Sequence, residues 1–151
     1  MRIRLVSIGT RPPRWVQEGY AEYARRLPRE CPLELVEVAP EKGSSARKTR
    51  EGRRLLERVG RGDLVIALDP GGTLWSTEQL ARRLARWMQE GRTLSLLIGG
   101  ADGLACECVE RAAVHWSLSP LTFPHMLVRI LVAEQLYRAC SWIRNHPYHR
   151  P

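Results

Sequence analysis

Four stretches of this chain combine residue types that could do chemistry. Two are tight turns, Leu68-Asp69-Pro70-Gly71-Gly72 and Ile98-Gly99-Gly100-Ala101-Asp102-Gly103, each following a short apolar run. Glycine there lets backbone approach a ligand closely and present bare N–H donors. The same turns would also serve as plain strand-to-helix connections. The third stretch is Ser117-Leu118-Ser119-Pro120-Leu121-Thr122-Phe123-Pro124-His125. Its two prolines and three hydroxyls predict a rigid loop with free backbone groups, apolar enough for an aromatic base with polar edges. The fourth is the tail, Arg144-Asn145-His146-Pro147-Tyr148-His149-Arg150-Pro151, dense in aromatic, imidazole and guanidinium groups. Those groups stack on and hydrogen-bond to splayed nucleic-acid bases; a docked structural tail is the other reading.

Between the third and fourth stretches lies a run that is apolar nearly all round, from Pro124 to Ile143. It predicts a helix buried both in the core and at an oligomer interface, with Pro124 as its first residue. Glu134 and Arg138 stand four apart, the spacing of a helical ion pair. Arg129 has no local partner, which makes it a functional candidate. His125 could act as a base or contact a nucleic acid, or simply hydrogen-bond at the helix start.

The elements that must position these residues follow from periodicity. Ile3–Ile8 and Leu33–Val38 predict strands, and Arg14–Leu27 a helix between them. Pro40–Thr49 is the most polar stretch and carries both lysines; it predicts a flexible loop, a candidate RNA contact, running into a helix that ends near Gly60. Leu64–Leu68 and Thr93–Ile98 are continuous apolar runs, as in strands buried on both faces, and Asp69–Gly72 breaks the first of them. Ser76 with Gln79 makes a capping box for a helix stopping at Gly91. A short helix over Cys106–Ala113 and a strand over Val114–Leu118 complete an alternating α/β pattern with a largely parallel sheet.

At 151 residues the chain suits one domain over 1–151. No apolar stretch reaches membrane-spanning length, and the N-terminus lacks a signal-peptide core, so the expected compartment is the cytoplasm. The net charge is +8, and all but two of the 24 basic residues are arginine, which suits an anionic partner or a plain solvated surface. Cys106-x-Cys108 is too tight for the usual zinc pair and no second pair follows, so no metal is expected; Cys31, Cys106, Cys108 and Cys140 read as small, mostly buried hydrophobes. The glycine turns match neither the dinucleotide fingerprint nor a P-loop.

Taken together, these stretches give the chain an end-to-end likeness. It resembles the RlmH family of the SPOUT, or α/β-knot, superfamily, bacterial large-subunit ribosomal RNA pseudouridine N3-methyltransferases. The likeness runs from Val6-Ser7-Ile8-Gly9-Thr10 through Leu68-Asp69 and Ser95–Leu104 to three C-terminal signatures: Ser117–His125, Arg129–Ala139 and Asn145–Arg150. The resemblance implies a trefoil knot in the C-terminal half, against the general rule that chains do not thread loops. It also implies a homodimer that binds S-adenosylmethionine at Leu68, Gly99, Gly100 and Gly103 and at the loop Leu118, Ser119, Pro120, Leu121, Thr122, Phe123 and Pro124. The implied substrate is a pseudouridine in helix 69 of 23S rRNA within the ribosome. The tail of one subunit is expected to reach the other's pocket. His149, Tyr148 and Arg150 are then the first catalytic candidates, followed by His125 and Arg129. A ribosome-associated nucleotide-binding protein and a nucleotide-dependent oxidoreductase are the alternatives the residues leave open.

Overall fold

A computed structural model describes residues 1–150. Five parallel strands, β1 (Ile3–Ile8), β2 (Leu33–Val38), β3 (Leu64–Leu74), β4 (Leu94–Ile98) and β5 (Val114–Ser117), form one sheet in the order β2-β1-β4-β3-β5. Five helices alternate with them: α1 (Arg14–Ala24), α2 (Arg47–Glu57), α3 (Thr77–Glu90), α4 (Cys106–Arg111) and α5 (His125–Ile143). The sequence therefore forms the mixed α/β architecture that its periodicity predicts.

The strand order decides where a ligand can sit. From β1 the chain leaves through α1 towards β2, and from β4 it leaves through α4 towards β5, on the opposite side. Such divergence opens a crevice at the carboxyl ends of the two adjacent strands; Gly99 lines it, while Gly9 is covered by Met126, Arg129 and His125 of α5. Alternating side chains build two cores. On one face, Ile3, Leu5, Ile66, Leu96 and Ile98 pack with Leu80 and Leu84 of α3 and Val132 and Leu136 of α5. On the other, Val6, Ile8, Val65 and Leu97 pack with Leu55 of α2 and Cys108 of α4. The apolar α5 lies against both α1 and α3, so its core half is accounted for within one chain.

Local signals place the ends of several elements. Ser76 accepts from the Gln79 N–H while Gln79 accepts from the Ser76 N–H, and Gly91 closes α3 at φ +68°, the expected box and stop. Pro124 caps α5 rather than opening it, with ψ at 138°. The expected break at Asp69–Gly72 is instead a bulge: β3 continues to Leu74, and its pairing with β5 shifts register between Leu68 and Thr73. Gly72 makes that continuation possible, since a Cβ there would lie 2.7 Å from the His115 carbonyl carbon. Three cysteines are buried as expected, but Cys106 is exposed on α4. Among the described residues no helix is long and apolar enough to cross a membrane.

Candidate functional site

At the carboxyl edge of the sheet a cavity of about 780 Å³ opens between the two glycine turns and the loop before α5. Its lining includes Leu68, Gly99, Gly100, Gly103, Leu118, Ser119, Leu121, Thr122, Phe123, Pro124 and His125. Residues more than fifty positions apart in sequence thus converge on one concavity; Pro120 alone of the expected loop stays outside its wall. The loop is held by its own hydroxyls: Ser117 donates to the Ser119 carbonyl and the Leu121 N–H donates to Ser119 Oγ. Leu121 is left 70% exposed, an apolar surface at the mouth suited to an aromatic base.

The glycine turn is a close-packed cradle. A Cβ at Gly99 would sit 2.4 Å from the Gly103 carbonyl, and one at Gly100 would meet Ile8 and Glu51 at 2.9 and 3.0 Å. Helix α2 braces the turn from outside. Arg47 makes a bidentate pair with Asp102 (2.7 and 2.9 Å), which holds the Asp102 carboxyl below the usual range. Lys48, the next residue, lines the cavity itself. Glu51 lies behind Gly100 and is only 3% exposed. Its Oε2 accepts from the Glu41 N–H at 3.1 Å, whereas Oε1 has no partner among the described residues. Lys48, read within the polar Pro40–Thr49 loop as a candidate RNA contact, stands instead in the first turn of α2 and in this wall; Glu51 was missed because α2 is polar overall and reads as a solvated helix.

His125 and Arg129 occupy the first turns of α5 and stand together over Gly9. A Cβ built on Gly9 would lie 3.5 Å from His125 Nε2 and 3.2 Å from Arg129 Nη2. Burial, aided by the Arg129 charge, lowers the His125 pKa from its ordinary value, so its imidazole is neutral at pH 7 and able to accept a proton. Arg129 has the partners that its own helix could not offer: Ser7 Oγ at 3.1 Å, the Gly9 carbonyl at 2.8 Å and Glu37 Oε2 at 2.9 Å. It is completely buried and lines a second, smaller cavity rather than the first.

The tail lies elsewhere. Tyr148 donates to Glu134 Oε1 at 2.9 Å, its ring centroid lies 4.5 Å from that of Tyr137, and the Arg138 guanidinium sits 4.7 Å from its centre. Glu134 also takes the expected bond from Arg138, at 2.8 Å. Burial and the bond to Glu134 push the Tyr148 phenol up to about 12, so in this position it is a donor and no base at neutral pH. His149 is half-buried, with Nδ1 unpartnered among the described residues. Tyr148, His149 and Arg150 do not line the large cavity; Glu134 is about 14 Å along α5 from His125 at 1.5 Å per residue.

The chain belongs to the SPOUT methyltransferases: the family model described as "Predicted SPOUT methyltransferase" matches residues 1–149. Within that class it belongs to the RlmH family. It is 55% identical, over 99% of its length, to proteins named ribosomal RNA large subunit methyltransferase H from Methylococcus capsulatus and Nitrosococcus oceani, of which it covers 100% and 99%. The Pseudomonas aeruginosa protein of that name is 52% identical over 99% of this chain and 100% of its own. Solved structures share the fold at lower identity. A probable methylase family protein from Haemophilus influenzae matches at TM-score 0.58 and 16% identity, over 99% of this chain and 70% of its own. TrmJ from Z. mobilis matches at 0.52 and 20%, with the same coverage.

Enzymes of this class use S-adenosylmethionine, which is therefore the cofactor of this chain. The cavity fits it on chemical grounds. Gly99, Gly100 and Gly103 line it, and a Cβ at Gly103 would meet nothing within 4 Å, so the backbone there is open to a ligand; the Ser117–Pro124 loop offers apolar walls, and Lys48 adds a cation to the lining.

Proposed function

We propose that this protein transfers a methyl group to N3 of a pseudouridine in helix 69 of 23S rRNA, on assembled ribosomes. The observation that carries the ribosomal RNA part is full-length identity of 55% to proteins named as large-subunit rRNA methyltransferases. The nucleoside and its position rest on the likeness of the three C-terminal signatures. S-adenosylmethionine supplies an electrophilic methyl group, held by Leu68, the Gly99–Gly103 turn and the Leu118–Pro124 loop. The protein's remaining tasks are to orient N3, remove its proton and stabilise charge on the flanking carbonyl oxygens. His149 takes the proton and Arg150 faces the developing oxyanion, with Tyr148 as a hydrogen-bond donor. His125 stands at the wall of the cavity as a second imidazole, and Arg129 fixes the backbone beneath it.

The position of the tail supports a composite site. Tyr148 is anchored far along α5 from its own cavity, so the tail's groups serve the pocket of a second subunit in a homodimer. Digesting the methylated 23S rRNA to nucleosides is expected to yield N3-methylpseudouridine; a methyl group on any other nucleoside refutes the assignment. Mixing Gly99→Ala subunits with subunits lacking residues 146–151, at an S-adenosylmethionine concentration too low for the Gly99→Ala pocket to fill, is expected to restore transfer in the heterodimers. Continued inactivity of the mixture would show that each subunit uses its own tail.

A further inference from the structure

The second cavity, of about 400 Å³, is lined by Arg11, Val16, Gln17, Tyr20, Glu37 and Arg129, among others. Its volume lies within the range of small-molecule sites. His125 lines the first cavity and Arg129 the second; they stand four residues and about 6 Å apart along α5, with both side chains over Gly9 at the end of β1. A methyltransferase needs two adjoining sites, one for the donor and one for the acceptor.

The lining has the chemistry of a site for a base rather than of a packing defect. Tyr20 brings a buried hydroxyl with no hydrogen-bond partner among the described residues. Such a group is costly unless something satisfies it. Glu37 Oε2 accepts from Arg129, and its side chain is 34% exposed, which leaves a carboxylate edge for N–H donors. Gln17 commits its amide nitrogen to the Pro12 carbonyl, which aims the rest of the group. Arg11 holds φ at +52°, a conformation that an arginine adopts only at a cost and that concentrates at functional positions. A planar cation, a phenol, a carboxylate and the apolar walls of Val16 and Leu35 suit a flat heterocycle with both donors and acceptors.

We propose that this second cavity binds a nucleobase of the RNA substrate, with Tyr20 and Glu37 reading its polar edge and Arg11 covering it at the mouth. The proposal rests on the methyltransferase reading above. Two variants test it in methyl transfer to 70S ribosomes. Tyr20→Phe removes only an unpartnered hydroxyl, and Arg11→Gly puts the residue best suited to positive φ at that position, so neither change threatens the fold. Both are expected to lower kcat/KM for ribosomes about tenfold through KM, with S-adenosylmethionine affinity and thermal midpoint unchanged. A kcat/KM within twofold of wild type would overturn the proposal, as would an equal loss of S-adenosylmethionine affinity. Dissociation of the dimer in either variant would also overturn it, by assigning the cavity to a partner subunit. Wild-type transfer to the same ribosomes, run alongside, distinguishes these outcomes from failure of the parent reading; a silent wild type refutes both.

Discussion

Replacing Arg129 with methionine is expected to destabilise the protein by about 3 kcal/mol and to lower its thermal midpoint by about 6–12 °C for a chain of this size. Methionine keeps most of the volume and the unbranched path of the side chain, so a void is not the main cause. The loss comes from polar groups left behind. The Gly9 carbonyl and Ser7 hydroxyl lose their bonds to the guanidinium in a fully buried setting, and an unpaired buried group carries its full desolvation penalty. Glu37 suffers less, because its side chain is 34% exposed and can turn to water. Arg129 joins α5 to the ends of β1 and β2. A midpoint within 2 °C of wild type in a calorimetric scan would show that the carbonyl and hydroxyl find other partners.

The second large effect is expected from Gly99→Ala. The added methyl would lie 2.4 Å from the Gly103 carbonyl carbon and oxygen, atoms of the backbone that cannot swing aside as a side chain can. The turn must open. Overpacking of this kind costs about 1–3 kcal/mol, and because the strained segment is the cofactor cradle proposed above, the cost is expected to fall on binding. S-adenosylmethionine affinity is expected to fall about 10- to 100-fold by titration calorimetry, while the sheet survives. The braces outside the turn, Arg47–Asp102 and Glu51 behind Gly100, limit how far it can relax. A dissociation constant within twofold of wild type would mean that the turn is not part of the donor site.

How much of this was legible beforehand depends on sequence separation. The α3 cap at Ser76 and Gln79 and its stop at Gly91 are written within a few residues, and both form as read. The pair Glu134–Arg138 is one helical turn and also forms. The turn and loop residues could be named as candidates because their types are unusual together, yet only the fold shows that they share a wall. Arg129 was singled out for having no local partner, but its real partners lie 92 to 122 residues away, beyond any periodicity. Glu51 was invisible for the opposite reason: it stands in a polar helix whose composition hides one buried carboxylate. The strand break expected at Asp69–Gly72 did not form because proline and glycine mark a bulge as readily as an end, and only the neighbouring His115 backbone decides between them. The tail was named for its residue types alone; its contacts with Glu134 and Tyr137 arise because the chain folds back along α5 after Asn145, at φ +56°, a reversal that no periodicity marks.

The central claim, that this chain is a ribosomal RNA methyltransferase using S-adenosylmethionine, is tested most directly by transfer of a tritiated methyl group. The purified protein is incubated with labelled S-adenosylmethionine and, in parallel, with 70S ribosomes, free 50S subunits and naked 23S rRNA. Incorporation into 23S rRNA is predicted, strongest on the 70S particle and abolished by removal of residues 146–151. No incorporation into any of the three substrates would contradict the account.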